Sequence, residues 1–273
     1  MQWLIDPWSW EFMRGALVAG MAAGTGCAAL GVYVVFRRMA FAGEAMSHTT
    51  LPGLVIAQAQ GWSLALGALG SNLLTAVGIG LLAGRATRER GMREDAAIGV
   101  VFTGMFALGV MLTSVMGSWR DLSHLILGNI LAVDAGNLWF MVGASAAIVT
   151  VLAALHKELE LSSYDATYAN LIGIGSARLR LLVLGLVALA VVSGVQVVGV
   201  VLTSALLVSP PATAAMFVRT LRPMMVLAVL CSWTAVAGGL MLAYHADLPA
   251  GASIVVCSAG LFAVAWIWRR IRR

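Results

Sequence analysis

Run after run of this chain extends for about twenty residues with few or no charged side chains, and that pattern leaves few folds open. A helix needs about 20 apolar residues to cross the ~30 Å hydrocarbon core of a bilayer, and every backbone N–H and C=O inside the core must be paired within the protein. Of the 273 residues, 61% are hydrophobic and 11% charged, with a mean hydropathy of +0.94, which is too apolar for a soluble domain of this size. The runs are rich in Gly and Ala and lack the apolar/polar alternation of an outer-membrane barrel. The expected fold is all-α, a polytopic transmembrane helical bundle over residues 1–273.

Nine spans are expected, at residues 12–36, 39–59, 62–84, 96–116, 136–155, two within 181–218, 224–244 and 250–268. Eight remain possible, because the run 181–218 offers only a weak break at 196–199. Residues 124–133 are too short to cross and are expected to form a re-entrant or interfacial half-helix. Basic residues gather between runs at Arg37 and Arg38, at Arg85, Arg88, Arg90 and Arg93, within 157–180, at Arg219 and Arg222, and at the end of the chain. By the positive-inside rule all but Arg14 and Arg120 are then cytoplasmic, with the N-terminus outside and the C-terminus cytoplasmic. Trp3, Trp8 and Trp10 suit an outer interfacial belt. No cleavable signal is expected, because residues 1–13 are Trp-rich and acidic rather than a basic head before an apolar core.

The net charge of +5 is spent on these short clusters, so nucleic-acid binding is discarded. Cys27, Cys231 and Cys257 lie inside expected spans with no CxxC spacing and read as small core residues. Recurring small residues, Gly20 with Gly24 and the series Gly99, Gly104, Gly109, suggest close helix packing, since lipid supplies no hydrophobic drive between helices.

Glu44 and His48 sit one helical turn apart inside the apolar run 39–59. Ionisable side chains in such segments are costly and presumptively functional. The i, i+4 spacing puts carboxylate and imidazole on one face, able to share a divalent cation or a hydrogen bond. The alternative is a structural pair in which neutral His48 donates to Glu44 and locks two helices together. Pro52 and Gly53 follow within two turns and can free backbone carbonyls toward a cavity, which favours a pathway.

Thr203, Ser204, Ser209 and Thr213 surround Pro210 and Pro211 in another apolar run. They suit a bent helix lining a lumen, or hydroxyls that merely bond back to their own helix. Residues 162–175 read as a short amphipathic helix with a glycine stop, able to dock a partner, or as a solvated connector. His124 and His245, near Asp121 and Asp247, read as interfacial polar residues, and His156 is given no role.

Taken together these segments resemble the membrane permeases of metal-ion ABC importers that carry zinc, manganese or iron. The resemblance spans nearly the whole chain. It is most specific at residues 36–53, with Arg37, Arg38, Glu44, Ser47, His48, Leu51, Pro52 and Gly53, where the family often has aspartate in place of Glu44. The Leu-Gly-Asn-Ile-Leu run at 127–131, the stretch 204–215 and residues 249–254 support it, as do Asp165, Ala169 and Gly173. The resemblance implies that two copies of this chain form the pore in the cell (inner) membrane. ATP-binding cassette ATPase subunits would dock on the inner loops, around Asp165, Ala169 and Gly173, and an extracytoplasmic metal-binding protein would deliver the ion.

On this reading the chain is not an enzyme and holds no permanent cofactor, the divalent transition metal being its cargo. In agreement, it has no G-x-x-x-x-G-K-[ST] phosphate loop. Glu44 and His48 would hold the metal, and Thr203, Ser204 and Ser209 would line its path. A stand-alone proton-coupled secondary metal transporter is the rival. An intramembrane enzyme is the weakest alternative, since H-E-x-x-H and G-x-S-x-G are both absent.

Overall fold

A computed structural model describes residues 6, 10–86, 94–116, 130 and 134–272. Among the described residues the elements are helices, α1 (Glu11–Phe36), α2 (Ala40–Thr49), α3 (Leu51–Gln60), α4 (Leu64–Ala86), α5 (Glu94–Met116), α6 (Ala135–Ala154), α7 (His156–Tyr164), α8 (Ala166–Leu171), α9 (Ser176–Val197), α10 (Val200–Phe217), α11 (Leu221–Ala246) and α12 (Ala250–Ile271). The half-helix expected at 124–133, His124, and most of the 127–131 run lie outside the described residues, as do Trp3, Trp8 and the greater part of the arginine-rich stretch 85–95.

Among the described residues eight helices are long and apolar enough to cross a membrane. They correspond to eight of the nine expected spans. The remaining one, residues 39–59, is divided into two helices of 10 residues each, α2 and α3. Pro52, in the first turn of α3, has no N–H to give to the carbonyl of His48 four residues back. At the division Thr50 keeps helical angles, φ −64° and ψ −29°, so the chain continues in its direction through the break. The weak break expected at 196–199 is real: α9 ends at Val197 and Gly199 takes φ 92° before α10 begins. A left-handed angle of this kind is cheap only for glycine.

α1 is the centre of the bundle. It packs against α6, α9, α10 and α11, and 72% of its membrane-length apolar stretch is buried, against 22% for α5. The approach is close because α1 presents small residues: a Cβ on Gly20 would stand 2.6 Å from Val236, and one on Gly24 would strike Ser232, both on α11. That is the expected use of Gly20 and Gly24. The second series divides, since Gly99 and Gly104 face open space while Gly109 packs on Leu51 and Pro52 of α3. A spacing of five residues turns successive glycines about 140° around the helix, so the three do not share one face. Cys27 is buried, Cys231 and Cys257 are partly buried, and all three are free.

Candidate functional site

α2 starts two residues after Arg38, whose φ of 59° bends the chain at the end of α1. The helical rise then brings Glu44 and His48 onto one face, with Nε2 of His48 3.2 Å from Oε1 of Glu44. Both side chains stay partly open, 31% exposed for His48 and 45% for Glu44. The imidazole lies against two rings of α5, Phe102 at 5.9 Å and Phe106 at 5.8 Å between centroids. A crevice of about 10 Å³, lined by Ser47, His48, Thr50, Leu51, Leu54, Val195 and Val200, has room for about one water.

The pair is made within one helix, so it does not tie two helices together, and its 3.2 Å contact is a hydrogen bond in this structure. The same separation is within reach of a shared cation. With ligand bonds of about 2.1 Å, a 3.2 Å separation of nitrogen and oxygen subtends about 100° at a shared metal, between the octahedral and tetrahedral angles. Among the described residues no third His, Cys, Asp or Glu joins them.

Immediately behind His48 the break between α2 and α3 is closed by a buried polar knot. Ser71 donates to the carbonyl of Thr49 at 2.5 Å, Thr49 Oγ1 donates to Asn72 Oδ1 at 3.1 Å, and Asn72 Nδ2 donates to Thr50 Oγ1 at 3.3 Å. All four residues are buried. Beside them Gly53 and Gly67 pack backbone to backbone, each leaving no space for a Cβ on the other. Sequence reasoning missed this knot, although Ser71, Asn72 and Thr75 inside an apolar run were a signal for it.

The other expected residues lie apart from the pair. Thr203 Oγ1 donates to the carbonyl of Gly199 at 2.7 Å and Ser204 Oγ to that of Val201 at 3.1 Å, both within their own helix or its cap, while Ser209 Oγ donates to Ser258 of α12 at 3.1 Å. His245 ends α11 next to Asp247, which adopts φ 51°.

Asp165 caps α8, its Oδ1 accepting from the N–H groups of Thr167 and Tyr168 at 2.9 Å each. Ala169 is buried, and Gly173 ends the turn at φ 87°. Tyr168, Leu171 and Ile172 stand exposed around it. A second feature unassigned from sequence is a buried contact between Tyr33 of α1 and His156 of α7, hydroxyl to Nδ1 at 2.6 Å.

Among the described residues these are the features of a multi-pass helical membrane protein with an ionisable pair beside a helix break. The model of the ABC 3 transport family matches residues 9–269, and the chain belongs to that family. It is therefore a multi-pass membrane component of an ATP-binding cassette transport system, not the ATPase. It is 34% identical to the "Probable iron transport system membrane protein" of Haemophilus influenzae over 99% of this chain and 98% of that one. It is also 34% identical to the manganese transport system membrane protein MntC of Halalkalibacterium halodurans, over 95% and 88% of the two chains. Among solved structures it is similar to PsaBC from Streptococcus pneumoniae in complex with Fab, with a TM-score of 0.83 and 31% identity over 96% of this chain and 94% of that one.

Proposed function

We propose that this chain is the permease of an importer for a divalent transition metal, manganese, iron or zinc, in which Glu44 and His48 form the transient intramembrane site. The observation that carries this reading is the 3.2 Å separation of two potential ligands beside a helix break, at an angle a metal could bridge without rearrangement. An anionic side chain in an apolar span is costly, and a passing cation offsets that cost. The names of the relatives, iron and manganese transport proteins, support the first two metals.

Two ligands make an incomplete coordination shell, which suits an ion that must leave again. A second copy of the chain, bringing its own Glu44 and His48, would complete it. Residues 40–60 extend about 31 Å at about 1.5 Å per residue, so α2 and α3 together would make a ninth crossing, with the N-terminus outside and the arginine-rich ends cytoplasmic. Thr203, Ser204 and Ser209 would line the route, since a hydroxyl that donates to a carbonyl keeps its lone pairs for a cation. Asp165, Ala169 and Gly173 build the α8 turn on which an ATPase subunit would dock. An extracytoplasmic binding protein would load the open side.

The test is ATP-dependent manganese uptake by the reconstituted complex. Glu44→Gln and His48→Gln should each lower uptake at least tenfold while the variants fold and bind the ATPase normally. Uptake at the wild-type rate in both would remove the pair from the pathway. A proton-coupled carrier would instead move metal without ATP or its ATPase.

A further inference from the structure

The end of α1 is fastened to α7 by contacts that the proposed metal site does not use. Tyr33 is fully buried and His156 is 7% exposed. Their polar atoms meet at 2.6 Å and their rings edge-on at 6.3 Å. Nε2 of His156 lies 3.3 Å from Oε2 of Glu160, one turn along α7. Next to them Arg37 donates to Ser163 Oγ at 3.0 Å and to Ser162 Oγ at 3.3 Å, and the rings of Phe36 and Tyr164 meet edge-on at 4.9 Å.

What lies on either side of this junction gives it meaning. From α1 the chain reaches α2 through Arg37, Arg38 and Met39, whose amides bond to the carbonyls of Tyr33, Val35 and Val34 at 3.0, 3.0 and 2.9 Å. That link has no slack, and Glu44 and His48 follow within α2. From α7 the chain enters α8 through Asp165, whose amide bonds to the carbonyl of Leu161 at 3.0 Å while its side chain caps α8. A displacement of α8 is thus passed by short, hydrogen-bonded links to α7, across the junction to α1, and on to α2. The buried Tyr33 hydroxyl and His156 Nδ1 are bonded to each other and resist separation, because parting them leaves both atoms unpaired.

We infer that Tyr33 and His156 form a latch that transmits movement of α8 to the helix carrying Glu44 and His48, which makes them positioning residues for the coupling of ATP turnover to metal passage. This rests on the reading of α8 as the ATPase dock and of Glu44 with His48 as the metal site.

The test uses the complete complex in proteoliposomes, with radioactive manganese as cargo and ATP hydrolysis followed in parallel. Tyr33→Phe removes one oxygen and keeps the ring. It should lower the manganese moved per ATP at least tenfold, with metal-free ATP turnover within twofold of wild type and equilibrium manganese binding unchanged. His156→Gln should do the same, and the double variant should be no worse than the poorer single one. Wild-type manganese per ATP in either single variant overturns the latch, as does a fall matched by lost manganese binding or by early thermal unfolding of the permease. Gly173→Val separates the two readings: if it leaves ATPase recovery and ATP turnover intact, the dock is not at α8, whatever Tyr33→Phe does.

Discussion

At the scale of single residues, Glu44 and His48 were placed correctly on one face because a spacing of four is a property of any helix, whatever surrounds it. Their neighbours were not legible. Thr49 and Asn72 meet across 23 positions of sequence, and Tyr33 and His156 across 123. No local pattern pairs residues so far apart. Asn72 has a testable consequence, since it bridges both threonine hydroxyls at the break, each of which also bonds to a carbonyl of its own helix. Asn72→Leu should cost about 0.5–1.5 kcal/mol, the net worth of a hydrogen bond whose loss strands neither hydroxyl, and thermal unfolding of the purified permease in detergent would read this as a lower Tm. An unchanged Tm would mean that the knot contributes nothing to stability.

At the scale of elements, the break after His48 follows from Pro52, and the break at Gly199 from a backbone angle of 92°. Both were visible as punctuation in otherwise apolar runs. The short helix expected over 162–175 was readable in its glycine stop at Gly173, but the structure divides that stretch at Asp165, which ends α7 and caps α8. The division of residues 39–59 into two ten-residue helices was less expected, since a proline in a long apolar run need only kink it. Gly173→Val would force a β-branched side chain to φ 87°, at a cost of about 1–2 kcal/mol in the turn. Recovery of the permease on an immobilised ATPase should fall while its own thermal unfolding moves little. Undiminished recovery would remove the α8 turn from the docking surface.

At the scale of the whole molecule, α1 holds α6, α9, α10 and α11 together, and the candidate metal site has two ligands from this chain among the described residues. A bundle that belongs to an ATP-binding cassette transport family should not work alone. Proteoliposomes holding only this chain should show no manganese uptake with or without a proton gradient, and uptake should appear when ATPase, ATP and binding protein are added. Gradient-driven uptake by the chain alone would overturn the ATP-driven reading.

The amino-acid sequence by itself determined the helical class, the positions of the long apolar helices, the break at 196–199, and the common face of Glu44 and His48. Those features depend on hydrogen bonds and side-chain spacing within a few residues, and on the partition of apolar runs into lipid. Only the tertiary structure decided that α1 lies at the centre, that Ser71 and Asn72 close the break behind His48, and that Tyr33 fastens α1 to α7. In lipid, helices have no hydrophobic drive toward one another, so their pairing rests on the fit of small residues and on hydrogen bonds between distant parts of the chain.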